Sequence, residues 1–319
     1  MSEFILDFEA PLKELESRIN SLRSTSLKAG MDVSDAILKL ENELSEKKGN
    51  IYNNLSRWER VQLARHPKRP HSIDFIDRMC SYWFEIHGDR KFADDQAMVC
   101  GLGIIDNKKV MLITQEKGRG TKQKVFHNFG MPRPEGYRKA IRVMKLAEKF
   151  NIPVISLIDT PGAYPGLGAE ERGQAEAIAS NIYEMSILKV PIITVIIGEG
   201  ASGGALGIGV GDTIICFENT WYSVISPEGC ASILYRDSNK AEKAADAMKV
   251  TASDMKDLGL ADHLLQEPSY GNHNDYDAAA NVLKRKLIDE LNVLSRVNAE
   301  TLIKNRIDKF ELMGKWKNE

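Results

Sequence analysis

A β-branched run that ends in glycines decides the fold of this chain: Ile192-Ile193-Thr194-Val195-Ile196-Ile197-Gly198-Glu199-Gly200-Ala201-Ser202-Gly203-Gly204-Ala205-Leu206-Gly207. Its apolar half predicts a buried strand, and the small residues that follow predict a turn from strand to helix. The first N–H groups of a helix have no acceptor within the helix, so such a turn stabilises an anion. The segment therefore predicts either a phosphate-binding turn or an oxyanion hole.

Length and composition indicate a globular protein with a large core. The chain has 319 residues, 43% of them hydrophobic and 28% charged, and its net charge is −2. This charge does not favour binding to nucleic acid or to an anionic membrane. The absence of both a long apolar run and an N-terminal signal pattern predicts a cytoplasmic protein. The spacing of the cysteines and histidines matches no zinc or redox motif, so we expect no bound metal.

Hydrophobic spacing divides the chain into three parts. Residues 1–70 carry two amphipathic patterns on either side of Gly30, which predict an antiparallel helical hairpin followed by a solvated, basic linker at 65–71. Residues 71–268 alternate apolar runs with amphipathic patterns, which predicts an α/β core with a largely parallel sheet. Residues 269–319 predict C-terminal helices. Their expected apolar faces are Leu283, Leu287, Leu291 and Leu294 on one helix and Ile303, Ile307 and Phe310 on the next.

Within the core, the apolar runs place strands at 110–114, 152–158, 192–197 and 213–216. Amphipathic patterns predict one helix that starts near Pro134 and ends at Asn151, and another over about 169–188. Ligands of α/β sheets gather beyond the carboxyl ends of strands. Two glycine-rich turns follow predicted strands, at 159–171 and 198–211, and we expect them to share one site.

Three mechanisms fit these turns. Asp159-Thr160-Pro161-Gly162 matches the D-x-x-G element of GTPases, but the chain has no G-x-x-x-x-G-K-[ST] motif to hold a triphosphate. The G-x-S-x-G motif around Ser202 predicts a serine hydrolase instead. Such an enzyme needs a histidine base and an acid, for which the candidates are Asp212, Asp262, His263 and His273. A capping role for Ser202 competes with that hypothesis.

The third mechanism uses main-chain N–H groups. Gly203 and Gly204 would donate them to a developing oxyanion, because a ligand approaches glycine backbone closely. A basic segment that includes Lys117 and Arg119 suits a phosphorylated or carboxylated ligand, although a solvated loop fits any single lysine of it equally well. A noncatalytic scaffold that recruits partners through its helical ends is the remaining alternative.

Five motifs together resemble one family, the alpha subunits of the bacterial acetyl-CoA carboxylase carboxyltransferase. They are Asn128-Phe129-Gly130-Met131-Pro132-Arg133-Pro134-Glu135-Gly136-Tyr137-Arg138-Lys139-Ala140, Ile158-Asp159-Thr160-Pro161-Gly162-Ala163-Tyr164-Pro165-Gly166, Ala169-Glu170-Glu171-Arg172-Gly173-Gln174, Gly198-Glu199-Gly200-Ala201-Ser202-Gly203-Gly204-Ala205 and Tyr222-Ser223-Val224-Ile225-Ser226-Pro227-Glu228-Gly229-Cys230-Ala231-Ser232-Ile233-Leu234. The resemblance extends over nearly the whole chain. It implies a crotonase-like fold of ββα units wound into a spiral.

The resemblance also implies a function and its partners. The family transfers the carboxyl group of carboxybiotin to acetyl-CoA, which yields malonyl-CoA for fatty acid biosynthesis. Biotin is carried by a separate carrier protein, a zinc-ribbon beta subunit completes the site in an α2β2 assembly, and ATP is used only by the partner biotin carboxylase. Gly203 and Gly204 would stabilise the ureido oxygen of biotin, and a glycine pair of the beta subunit would hold the thioester oxygen. The expected substrate- or biotin-binding residues are Gly162, Ala163, Tyr164, Gly200, Ser202, Lys117 and Arg119.

Overall fold

A computed structural model describes residues 4–29 and 32–314 of the chain, so the predicted hairpin turn at Gly30 lies outside the described residues. The strands are β1 (Tyr82–Glu85), β2 (Met98–Ile105), β3 (Lys108–Gln115), β4 (Val154–Thr160), β5 (Ile192–Ala201), β6 (Thr213–Phe217), β7 (Trp221–Ser223) and β8 (His263–Leu265). The helices are α1 (Ala10–Ala29), α2 (Ser34–Asn53), α3 (Arg57–Ala64), α4 (Ser72–Met79), α5 (Gly120–Phe126), α6 (Pro134–Lys149), α7 (Leu167–Glu171), α8 (Gln174–Ser186), α9 (Ser202–Leu206), α10 (Pro227–Tyr235), α11 (Ala241–Met248), α12 (Ala252–Asp257), α13 (Tyr276–Leu294) and α14 (Ala299–Glu311).

In the described part of the chain, the strands form one mixed sheet in the order β1-β2-β3-β4-β5-β6-β8, with β7 paired to the end of β5. The pairs β1–β2 and β2–β3 are antiparallel, whereas every later pair is parallel. The four predicted core strands are confirmed as β3, β4, β5 and β6, although β4 begins at Val154, two residues after its predicted start. Their β-branched side chains are buried, as expected for strands covered on both faces.

Helices cover both faces of the sheet. One face packs against α6 and α8, and the other packs against α4 and α13. Helix α6 is confirmed near its predicted bounds, and it buries Tyr137, Ala140, Met144 and Ala147. The prediction of one continuous helix over 169–188 is wrong. Gly173 adopts φ +80° and divides this segment into two helices, α7 and α8.

The N-terminal helices α1 and α2 lie antiparallel, as predicted. Glu9, just before α1, accepts a hydrogen bond of 2.5 Å from the hydroxyl of Tyr52 near the end of α2. The prediction of a solvated linker at 65–71 is wrong for most of that segment. Arg69 is only 1% exposed, because it donates to the carbonyl of Ile197 (2.7 Å) and pairs with the carboxylate of Glu267. The boundaries at 70/71 and 268/269 stay a prediction.

The C-terminal helices confirm one predicted face and correct the other. Leu283, Leu287 and Leu291 of α13 are buried as expected. In α14, however, the buried residues are Leu302 and Arg306, one position before the predicted Ile303 and Ile307, which are half-buried. This register follows from the contacts of Arg306.

The guanidinium of Arg306 fastens α14 to the base of the sheet. It is paired with the Asp212 carboxylate at 2.8 Å and donates to the carbonyls of Met185, Leu188 and Val190. A buried cation requires such partners, because water no longer solvates it. An arginine therefore occupies a position that a hydrophobic pattern would assign to the surface.

Candidate active site

The two glycine-rich turns meet at the carboxyl ends of β4 and β5. Thr160 at the end of β4 pairs with Gly200 of β5, and the turn after β4 reaches the start of α9. A Cβ atom built on Gly204 would lie 2.4 Å from the carbonyl carbon of Gly162 and 2.6 Å from the nitrogen of Ala163. The structure thus confirms the predicted proximity, and only a glycine fits at position 204.

A cavity of about 420 Å³ opens between these turns. Its wall includes Gly162 and Ala163 from one turn and Ser202 and Gly203 from the other, with Ile178 of α8 beside them. Gly162 adopts φ +144°, and a Cβ atom built on it would meet no heavy atom within 4 Å. Backbone of one turn and backbone of the other are therefore both open to a ligand in this cavity.

Gly203 and Gly204 are the second and third residues of α9, so their N–H groups have no acceptor within the helix. Gly203 faces the cavity, whereas the Cα of Gly204 is packed against the other turn. Ser202 precedes them with φ +57°, a left-handed conformation that is costly for a residue with a Cβ atom. The backbone at this junction is held in an unusual conformation by its surroundings.

Five predicted site residues do not line this cavity: Gly204, whose Cα is packed against the other turn, Lys117 and Arg119, which lie behind it, and Gly200 and Tyr164. Gly200 lies within β5, and a Cβ atom there would be 2.7 Å from the Tyr222 ring. Tyr164 donates its N–H to the Pro132 carbonyl, and its ring lies 4.6 Å from the Arg133 guanidinium. Both residues thus shape the turns through packing.

A buried ion cluster ties the two strand ends together behind the cavity. Lys117 Nζ lies 2.6 Å from Asp159 Oδ1 and 2.5 Å from Glu199 Oε2. Burial opposes its charge, but the two carboxylates outweigh that effect and raise the pKa of Lys117. Burial likewise opposes the charge of Glu199, yet Lys117 and Arg65 lower its pKa. The absence of a side chain at Gly198 leaves room for the Asp159 carboxylate.

The other predicted cation, Arg119, pairs with Asp74 at 2.7 Å and donates to the carbonyl of Arg69. Lys117 and Arg119 line a second cavity, of about 210 Å³, together with the exposed Lys124. Asp159 borders this second cavity and its turn continues to the first, so the two cavities are neighbours.

Sequence reasoning missed two buried residues at the end of β3, Gln115 and Glu116. Burial favours the neutral acid, but hydrogen bonding and charge from His71, with N–H donors of Gly118 and Ile73, lower the pKa of Glu116 to about 2. Gln115 is fully buried and contacts both turns. Their only signal in the sequence is polarity at the end of an apolar strand.

The geometry does not support a serine hydrolase. Ser202 lines the first cavity and also a separate apolar cavity beside Leu206 and Tyr222. Among the described residues that line these two cavities, there is no histidine. His263 pairs with Glu290 at 3.1 Å, and the ring of His273 stacks 4.3 Å from that of His66. Of the candidate acids, Asp212 binds Arg306 and Asp262 binds Lys309.

Comparison with known proteins decides the family. A family model described as "Acetyl co-enzyme A carboxylase carboxyltransferase-like" matches residues 5–314. The chain belongs to this carboxyltransferase family. A Chlorobium luteolum protein named acetyl-coenzyme A carboxylase carboxyl transferase subunit alpha is 52% identical over 99% of this chain and 98% of its own length. Proteins of the same name from Flavobacterium johnsoniae and Dichelobacter nodosus are 51% and 50% identical over 98% and 100% of this chain, and 99% and 100% of their own lengths.

Solved structures of carboxyltransferases show the same fold. The transcarboxylase 12S structure matches with a TM-score of 0.59 at 18% identity, covering 73% of this chain and 44% of that one. The beta subunit of Pseudomonas aeruginosa geranyl-CoA carboxylase matches with a TM-score of 0.57 at 19% identity, covering 77% and 46%. The predicted crotonase-like fold is confirmed, and this member of the carboxyltransferase family is an enzyme of carboxyl transfer.

The described residues contain neither a candidate membrane span nor a candidate metal cluster. Across residues 4–29 and 32–314, no helix combines the length and apolarity needed to cross a bilayer. Over the same residues, histidine, cysteine, aspartate and glutamate side chains form no group of three placed to hold a metal ion.

Proposed function

We propose that this chain is the alpha subunit of an acetyl-CoA carboxylase carboxyltransferase, which transfers the carboxyl group of carboxybiotin to acetyl-CoA and so supplies malonyl-CoA for fatty acid biosynthesis. The observation that carries this proposal is the identity of about half of all residues over the full length of relatives named as that subunit. The cavity between the two turns supports it, because exposed backbone suits a reaction that develops negative charge on oxygen.

The residues around the cavity fit the ureido group of biotin. When bound, biotin would supply the carboxyl group and the basic atom of the transfer. The N–H groups of Gly203 and Gly204 would donate to the ureido oxygen, each worth about 3 kcal/mol in the transition state. Gly162 and Ala163 form the opposite wall, where an unsubstituted Cα lets the ring approach the backbone. Ile178 supplies an apolar side that keeps water from the oxyanion.

The remaining predicted residues have supporting roles in this proposal. Ser202, Gly200 and Tyr164 set the conformations of the two turns. Lys117 and Arg119 belong to the second cavity, which we assign to the anionic part of the substrate rather than to the reacting atoms. This assignment agrees with the additional positive charge of Lys124.

The proposed reaction requires partners. The beta subunit would bring acetyl-CoA and hold its thioester oxygen, and two copies of each subunit would form an α2β2 assembly. The biotin carboxyl carrier protein would deliver carboxybiotin to this assembly. Biotin carboxylase would use ATP at a site of its own. We place the assembly in the cytoplasm, whose reducing conditions match the four unpaired cysteines of the structure.

Co-purification tests this function. A tagged chain, co-expressed with the zinc-ribbon beta subunit of the same organism, should retain that subunit and one equivalent of zinc. The complex should transfer carboxyl groups between malonyl-CoA and free biotin, whereas the isolated chain should be nearly inactive. A fluorophosphonate probe gives the matched control, because a serine hydrolase would be labelled at Ser202. Full activity of the isolated chain, or labelling of Ser202, would contradict the proposal.

A further inference from the structure

Two backbone segments must keep a fixed separation in this site, and one buried side chain contacts both. Gln115 is the last residue of β3 and has no exposed surface. Its Oε1 accepts the N–H of Asp159 at 3.2 Å, and its Nε2 donates to the Gly204 carbonyl at 2.7 Å. A single amide thus bridges the end of β4 and α9, which directly follows β5.

The Gln115 amide supplies a hydrogen-bond partner to a buried backbone group in each of the two segments. Gly204 lies near the end of the short helix α9, where carbonyl groups lack N–H donors from within the helix. The Tyr137 hydroxyl is its second donor, at the longer distance of 3.4 Å. Asp159 is the next-to-last residue of β4 and precedes Gly162 by three residues. A buried backbone group that loses its partner is costly, so both segments are held where the amide places them.

We infer that Gln115 is a positioning residue for carboxyl transfer: its amide fixes the gap between the wall of Gly162 and Ala163 and the N–H donors of Gly203 and Gly204. This inference rests on the proposed function. Gln115 does not line the cavity, so it acts on the reaction through the backbone of its two partners. The rate of a reaction depends strongly on the positions of such donors, since a displacement of about 1 Å lowers the rate about 100-fold.

A neighbouring amide provides a matched control. Asn181 of α8 is also fully buried, and its Nδ2 donates to the carbonyl of Gly207 at 3.0 Å, at the far end of α9. Gln115→Met and Asn181→Leu each remove one buried amide bond to the α9 region. Only Gln115→Met also releases Asp159. Gln115→Asn is the second variant, because a side chain shorter by one methylene cannot reach both partners.

The experiment measures kinetics and hydrogen exchange on complexes with the beta subunit. We expect Gln115→Met, and to a lesser degree Gln115→Asn, to lower kcat about 10- to 100-fold with little change in the KM for malonyl-CoA. Asn181→Leu should keep kcat within about threefold of the wild type, although it also removes a buried hydrogen bond. Amide exchange should rise in both segments 157–165 and 199–207 for the Gln115 variants, but only in 199–207 for Asn181→Leu.

The outcomes separate the two proposals. An unchanged kcat for both Gln115 variants, an equal loss for Asn181→Leu, or unchanged exchange in 157–165 would overturn the positioning role. A wild-type complex without carboxyl transfer would overturn the proposed function instead. In that case the exchange pattern still decides whether Gln115 couples the two turns. If Gln115→Met fails to fold, Gln115→Asn provides the same comparison.

Discussion

The same added methyl group should change the stability of the protein in opposite directions at two adjacent glycines of α9, Gly203 and Gly204. At Gly204 a new Cβ would meet the carbonyl carbon of Gly162 at 2.4 Å, its Cα at 2.8 Å and the nitrogen of Ala163 at 2.6 Å. At Gly203 its nearest neighbour would be the Cδ1 atom of Ile178 at 3.4 Å, an ordinary contact with the end of a flexible side chain.

These distances set the expected magnitudes. Carbon atoms attract best at about 3.5–4.0 Å, so Gly204→Ala forces backbone apart by roughly 1 Å. Overpacking of that kind costs about 1–3 kcal/mol, and we expect the upper end because the obstructing atoms are main-chain atoms on the opposite turn. Gly203→Ala should instead raise the free energy of unfolding by about 0.5–1 kcal/mol, since alanine favours the helix more than glycine does.

Urea unfolding of the full chain measures the contrast. The two variants should differ by about 2–4 kcal/mol in unfolding free energy, with Gly204→Ala the less stable. Carboxyl transfer by the Gly204→Ala complex should fall about 100-fold, because the displaced turn carries the cavity wall. Equal stabilities for the two variants, or a less stable Gly203→Ala, would refute the claim that position 204 is a contact between turns.

Three further outcomes follow from the same geometry. Lys117→Met should lower the unfolding free energy by about 3–5 kcal/mol in urea titrations, because the carboxylates of Asp159 and Glu199 lose their cation. Glu116→Gln should destabilise the chain by roughly 3 kcal/mol at pH 7, and unfolding measured at several pH values should show the difference disappear between about pH 4.5 and pH 2. Ser202→Gly should retain carboxyl transfer and raise the unfolding free energy by up to about 1 kcal/mol, since it relieves a positive φ.

The sign of the Glu116 effect comes from its lowered pKa. The folded protein favours the ionised carboxyl, so the stabilisation is complete above the ordinary pKa of 4.5 and is lost as the pH falls toward 2. A constant difference in unfolding free energy between wild type and Glu116→Gln across that range would contradict the assignment.

For the Lys117 prediction, Lys117→Arg is the control, because arginine retains the positive charge within the cluster.

Four strands of the sheet and the two glycine-rich turns were predictable, because their signals are local. β-branched runs identified β3 to β6, and glycines after β4 and β5 identified the turns that line the cavity. The errors arose where distant residues decide burial. Arg306 is buried because Asp212 and three carbonyls surround it, and Arg69 of the predicted linker is buried because it reaches Glu267.

The candidate site shows the same limit. Gly203 and Gly204 have identical local sequence signals, yet only the fold shows that one faces the cavity and the other contacts Gly162. Gln115 carries no motif, and its role depends on two partners in separate segments, Asp159 and Gly204. Such a bridge becomes visible only when tertiary contacts are known.

The attachment of α14 to the sheet has a consequence for the order of folding during synthesis. Asp212 is translated 94 residues before its partner Arg306. Until the ribosome has made α14, the base of the sheet holds a carboxylate without its guanidinium, and the carbonyls of Met185, Leu188 and Val190 lack their donor. A nascent chain can therefore complete this part of its core only after α14 has been synthesised.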